Sequence, residues 1–171
     1  MKVILYMAIS ANGMIAGKND DTSWVSKEDF EGQEKVAKMV GNIVYGSRTF
    51  ERGLIEGGLP VTGCVNVVAT SDPNRYKTKE GFLFIAGTPQ NILKILKNKG
   101  FNKVLVAGGS KLNGSFIKEG LIDEMYLDVE PIIFGEGIPL FAPADFEYKL
   151  KPLGTKKLSE QTLQLHYKVL K

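Results

Sequence analysis

Short apolar runs alternate along the chain with stretches that are apolar on one side only. Residues 3–10 (VILYMAIS) are almost continuously apolar, the pattern of a strand buried on both faces. Asn12-Gly13 turns the chain, residues 14–17 make a short apolar return, and residues 18–23 are a polar loop. Ser26 opens a helix, with Ser26 and Asp29 at capping-box spacing, Phe30, Ala37 and Val40 along one face, and Gly41 as its end. Residues 42–45 and 65–69 read as further strands, separated by Gly46-Ser47-Arg48-Thr49 and a glycine-rich loop over residues 53–63. A strand over residues 82–86 follows. Thr88-Pro89 then starts a helix with Thr88 as N-cap, carrying Ile92, Ile95 and Leu96 and stopping at Gly100. Residues 103–107 are a strand, and Leu112, Phe116 and Ile117 mark the face of the next helix, which ends at Gly120. Residues 124–129 alternate, residues 131–143 are a loop, and residues 146–150 and 163–169 read as an antiparallel hairpin closing the chain.

Strand–helix alternation over the first two thirds predicts an α/β fold, with a mostly parallel central sheet flanked by helices and an antiparallel C-terminal hairpin. Residues 1–171 are expected to form a single domain. In such sheets ligands bind beyond the carboxyl ends of the strands. Three strand ends carry small, hydroxyl or basic residues there: Gly46-Ser47-Arg48-Thr49, Thr70-Ser71, and Ala107-Gly108-Gly109-Ser110-Lys111-Leu112. At the last of these, two glycines break a strand and Ser110 opens a helix, which leaves backbone N–H groups free for a phosphate. A tight turn with an ordinary N-cap is the alternative there. Three such ends in one sheet, with Arg48 as the electrostatic complement of a phosphate, point to a ligand with several phosphates, such as a dinucleotide. The G-x-G-x-x-G and G-x-x-x-x-G-K-[ST] patterns are both missing, which argues against a standard dinucleotide fold and an ATPase.

Composition narrows the classes. The apolar share of 43% and charged share of 24% are those of an ordinary globular protein. A net charge of +3, from 22 basic and 19 acidic residues without a basic run, gives no nucleic-acid footprint. No long apolar span or signal peptide is visible, so no membrane association is expected. The single Cys64 suggests a reducing, cytoplasmic location, and one cysteine with one histidine, His166, cannot build a common zinc site. His166 has no nucleophile motif near it, Cys64 reads as a packing residue, and Asp123-Glu124 point to opposite faces of a strand.

These residues resemble the dihydrofolate reductase superfamily, including the reductase domain of the bifunctional riboflavin-biosynthesis enzyme. In the first half, Ala8 and Ile15 match the first cofactor-binding turn of dihydrofolate reductase. Trp24 and Asp29 match its W-x-x-x-x-[DE] spacing, and residues 46–51 its G-R-x-T-[WYF]-E stretch, with Arg48 one place late. In the second half, Ala107-Gly108-Gly109-Ser110, Gly120-Leu121-Ile122-Asp123-Glu124 and the run over residues 131–141 follow the riboflavin-pathway series G-G, G-L-[VI]-D-E and P-x-[LI]-x-G-x-G-x-P-L-F. The resemblance departs at Asn12, where the riboflavin-pathway domain carries an acid, and no D-D-P-x-L-T stretch is present.

The resemblance implies an NADPH-dependent reductase acting on a pyrimidine- or pteridine-like heterocycle. The nearest activity is 5-amino-6-(5-phosphoribosylamino)uracil reductase, with dihydrofolate reductase as the alternative and a non-catalytic NADPH-binding protein as the reading from another class. Gly108, Gly109 and Ser110, flanked by Ala107, Lys111 and Leu112, would hold the pyrophosphate. Gly46, Ser47, Arg48 and Thr49 would hold phosphates across the cleft. Thr70 and Ser71, with Arg75 nearby, would hold the 2′-phosphate, and Ala8 and Ile15 would meet the nicotinamide. Trp24, Asp29 and Phe30 would bind substrate. Two roles are open to Asp29: a buried acid that protonates a substrate ring nitrogen, or a helix cap paired with Ser26. Relatives of this kind are often dimers, and a homodimer is expected.

Overall fold

The computed structural model describes residues 1–76 and 80–171. Ten strands and four α-helices follow in order: β1 (Lys2–Ser10), β2 (Met14–Ala16), α1 (Lys27–Val40), β3 (Asn42–Gly46), α2 (Ser47–Glu56), β4 (Val65–Ala69), β5 (Phe82–Ile85), α3 (Pro89–Asn98), β6 (Lys103–Val106), α4 (Ser110–Lys118), β7 (Glu124–Glu130), β8 (Ile138–Pro139), β9 (Lys149–Lys157) and β10 (Leu163–Leu170). Eight of the strands make one sheet in the order β5-β4-β3-β6-β1-β7-β10-β9. Its pairs are parallel from β5 through β7, and β10 runs antiparallel to both β7 and β9. The fold is the expected α/β one.

The central strands are apolar throughout because both faces of the sheet are covered. Alternate residues of one strand enter different cores. Val3 and Leu5 of β1, Val44 of β3 and Val104 and Val106 of β6 meet Ile92, Leu96, Leu112, Phe116 and Ile117 of α3 and α4. Ile4 and Tyr6, Ile43 and Tyr45, and Leu105 and Ala107 meet Ala37 and Val40 of α1 and Phe50 of α2 on the other face. Phe50 is the hub of that second core, with the rings of Tyr76, Phe82 and Phe84 edge-on to it at 4.8–5.5 Å between centroids.

Four expectations need correction. Phe30 is 54% exposed, so it does not share the buried face of α1 with Ala37 and Val40. That face is taken by Asp29, which lies eight residues before Ala37 and is buried. The glycine-rich loop begins later than expected, because α2 runs through Gly53 to Glu56 and ends at the left-handed Gly57. A side chain at Gly53 would meet Leu59. The first strand of the hairpin is β9, at residues 149–157 and not 146–150, because every residue of β9 is exposed and no buried face imprints alternation on it. The return at β2 pairs with β8, in the loop expected over residues 131–143. Among the described residues no helix is long and apolar enough to cross a membrane.

Candidate functional site

Parallel neighbours bring the three expected strand ends side by side. Ala69 pairs with Gly46 and Val44 with Val106, so Thr70, Gly46 and Ala107-Gly108 leave adjacent strands in a row. The Gly46 N–H donates to the Gly108 carbonyl at 2.8 Å, which ties two of these ends together. Gly46 is the N-cap of α2 and Gly109 the N-cap of α4, and neither helix start is closed by a side-chain cap. Two helix starts with free N–H groups therefore open beside each other, each carrying the positive end of a helix dipole.

The absence of side chains keeps this cradle open. Gly108 has φ +90°, and a Cβ there would sit 2.9 Å from Met7 Sδ. A Cβ on Gly109 would sit 3.0 Å from Thr49 Oγ1 across the gap. Ser110, Ala107 and Leu112 are buried beneath it, and Lys111 is exposed. Arg48, in the first turn of α2, reaches Asp20 in the short 3-10 turn at Lys18–Asp20, with its Nε donating to Asp20 Oδ2 at 2.8 Å. The Arg75 guanidinium pairs with Glu51 at 2.9 Å and lies over the Tyr76 ring. Thr70 Oγ1 accepts from the Asp72 N–H at 3.2 Å, and Ser71 is exposed.

A second group of polar residues is buried on the α1 face of the sheet, between α1 and strands β1, β7 and β10. Asp29 is 2% exposed, and one of its carboxyl oxygens, Oδ1, has no hydrogen-bond partner. Its backbone N–H donates to Ser26 Oγ at 3.3 Å, which is half of the expected capping box. The other half is missing: the Ser26 N–H donates instead to Glu130 Oε1 at 3.1 Å. The Asp29 carboxyl thus faces the sheet, against Asp128 of β7. Burial is the main reason its pKa stands well above the ordinary carboxylate range, and the neighbouring charge of Asp128 adds to it.

Asp128 accepts from the Tyr6 hydroxyl at 2.8 Å and the Gln164 amide at 2.9 Å. Burial raises its pKa too, and burial followed by the Asp128 contact raises that of Tyr6. Glu130, two residues along the same strand face, accepts from Thr162 Oγ1 at 2.8 Å and from the Ser26 hydroxyl. Among the described residues no three His, Cys, Asp or Glu side chains are arranged to hold a metal ion.

Of the other expected site residues, Ala8 lies buried on β1 opposite Asp128, and Ile15 is buried on β2. Trp24 donates its indole N–H to the Asp21 carbonyl at 3.0 Å and packs against Phe134. It lines a cavity of about 500 Å³ with Ser26, Glu130, Pro131, Ile132 and Thr162, and neither Asp29 nor Phe30 is on that wall. Sequence reading missed Tyr6, Asp128, Glu130, Thr162 and Gln164. The alternation along β7 is the signal for Asp128 and Glu130, but alternation does not say that the polar side is buried as well.

Known proteins share this architecture. Residues 61–164, more than half of the chain, match the model of the RibD C-terminal domain. The chain is 32% identical to the uncharacterized protein YwjB of Bacillus subtilis (strain 168) over 170 residues, covering 97% of each. A crystal structure from Shewanella sp. PV-4, provisionally assigned to riboflavin biosynthesis, superposes with TM-score 0.82 at 24% identity and full coverage of both chains. Dihydrofolate reductase from Enterococcus faecalis, complexed with NADP(H) and RAB-propyl, superposes with TM-score 0.73 at 20% identity, covering 98% of this chain and 96% of that one. The fold is dihydrofolate-reductase-like, and the chain belongs to the RibD C-terminal domain family.

Proposed function

We propose that the protein is an NADPH-dependent reductase that passes a hydride to a C=N-type bond in a pyrimidine- or pteridine-like heterocycle. The observation that carries this reading is one shared edge of the sheet, at the carboxyl ends of its parallel strands. It holds a side-chain-free cradle at two helix starts and a buried carboxyl with an oxygen lacking a partner. The cradle fits a dinucleotide: any Cβ at Gly108 or Gly109 would crowd it, and its N–H groups and helix dipoles favour phosphate oxygens.

Gly46, Ser47, Thr49, Gly108, Gly109 and Ser110 would hold the pyrophosphate, with Arg48 adding a charge once it leaves Asp20. Thr70 and Ser71, at the end of the neighbouring strand, would hold the 2′-phosphate. When bound, NADPH supplies the hydride. The chain binds and orients both partners, excludes water and supplies a proton from Asp29 to the nitrogen of that C=N bond. 5-Amino-6-(5-phosphoribosylamino)uracil is the first acceptor to test and dihydrofolate the second.

Trp24 is the single tryptophan, so its fluorescence reports binding near the 3-10 turn. Quenching that saturates with NADPH and is weaker with NADH is expected, followed by loss of NADPH absorbance when an acceptor is added. Asp29→Asn should lower turnover by about 10²–10⁴-fold while leaving NADPH affinity within a few-fold. Equal turnover in Asp29→Asn at every pH would remove Asp29 from the reaction, and binding without oxidation of NADPH by any heterocycle would leave a non-catalytic binding protein.

A further inference from the structure

We infer that Asp128 is a positioning residue for Asp29: with Tyr6 and Gln164 it keeps the single proton shared by the two carboxyls on Asp29, so that Asp29 stays the acid of the site. The catalytic use of that proton rests on the reductase reading above; the sharing itself does not.

Asp29 and Asp128 are 2% and 0% exposed, and their carboxyl groups face each other between α1 and β7. Two buried carboxyls side by side do not both ionise, so the pair holds one proton between them. The partners decide which. Asp128 has both oxygens occupied by donors, the Tyr6 hydroxyl on Oδ2 and the Gln164 amide on Oδ1. Gln164 also donates to the Tyr6 oxygen at 2.9 Å, which commits the hydroxyl hydrogen to Asp128. Donors aimed at both oxygens stabilise the anion.

Asp29 has no such supply. Its Oδ1 is buried with no hydrogen-bond partner, so an ionised Asp29 would leave charge on an oxygen that no donor stabilises. The titratable groups facing it are Tyr6 from β1 and Asp128 and Glu130 from β7, and none of them is a cation. Glu130 is itself occupied by Ser26 and Thr162. Nothing near Asp29 favours a second negative charge.

In the proposed reaction the Asp29 O–H bond breaks and an N–H bond forms on the acceptor. The C=N π bond opens and the two electrons of the hydride make the new C–H bond. Asp29 and Asp128 are then both ionised side by side, so the pair must take one proton from solvent before the next turnover.

The test is carboxyl titration by NMR on protein labelled with ¹³C at the aspartate carboxyls, without cofactor. In Asp128→Asn the neighbouring charge is gone and the amide donates to Asp29, so Asp29 should ionise about one pH unit or more below its wild-type midpoint. In Tyr6→Phe the anionic form of the pair loses a donor, so the first ionisation of the pair should move upward. Shifts in opposite directions support the inference, and a purely structural role would not produce them. An unshifted Asp29 titration in Asp128→Asn overturns it, and should that variant fail to fold, an unshifted pair in Tyr6→Phe does the same. Opposite shifts in a protein that never oxidises NADPH would retain the shared proton and reject the reductase reading.

Discussion

Gly32 is where α1 crosses β1, and replacing it with alanine tests how the acid pair is built. In an ordinary helix interior this substitution stabilises by about 1 kcal/mol, because glycine is the poorer helix former. Here a Cβ would overlap the Tyr6 hydroxyl, with Tyr6 Cζ only 3.3 Å away. The ring cannot swing aside, since Tyr6 is 1% exposed and stacks on Tyr126 with centroids 5.7 Å apart. Displacing the hydroxyl breaks its bond to Asp128, and a hydrogen bond to a charged group is worth about 1.5–3 kcal/mol. Overpacking adds about 1–3 kcal/mol. These costs exceed the propensity gain, and a net loss of about 3 kcal/mol is expected, roughly 6–12 °C in Tm for a chain of this size. Urea and thermal unfolding of Gly32→Ala, Tyr6→Phe and the double variant measure it. In the Tyr6→Phe background the alanine should cost far less, because the obstructing oxygen is gone. Gly32→Ala as stable as wild type, or an equal cost in both backgrounds, would refute the crossing geometry.

Two further outcomes are expected. Burial, before any other cause, raises the pKa of Asp29 and of Asp128 in the folded chain. The folded state therefore holds these protons more tightly than the unfolded one. The stability this contributes is complete below the ordinary carboxylate range, about pH 4, and is lost as pH rises through the raised folded values. Urea midpoints measured across pH should show this fall in wild type and a flatter profile in Asp29→Asn; identical profiles would contradict it. Arg48 is held by Asp20 at the helix start where phosphates are proposed to bind. Asp20→Ala should tighten NADPH binding a few-fold and Arg48→Ala should weaken it about tenfold, and fluorescence titration giving no change for Arg48→Ala would detach that residue from the cofactor.

Much of the fold can be read along the chain. Continuous apolar runs such as residues 3–10 identify strands covered on both sides, and Thr88-Pro89 and Gly41 mark a helix start and a helix end that the structure keeps. Those signals are local: a cap needs only its own turn, and a doubly buried strand needs only apolar residues. Where no buried face disciplines the sequence, as along β9, the boundaries move by several residues.

The candidate site divides in the same way. Glycine pairs and hydroxyls after strands were legible, because the demand for a bare backbone at a helix start is written into adjacent residues. The side-by-side placement of Gly46, Thr70 and Gly108 was not, since it comes from the strand order β4-β3-β6. Asp29 stood out by its spacing from Trp24, yet its spacing from Ser26 also described a cap. The packed structure keeps half of that cap, gives the Ser26 N–H to Glu130 and turns the Asp29 carboxyl toward Asp128. Tyr6, Asp128 and Gln164 are more than a hundred residues apart between the first and the others, and they meet because β1, β7 and β10 are neighbours. The sequence by itself determined which segments become strands and helices and where backbone N–H groups lie open, because those are short-range properties of the chain. The tertiary structure alone decided which acids share a proton, because that depends on burial and on contacts between distant strands.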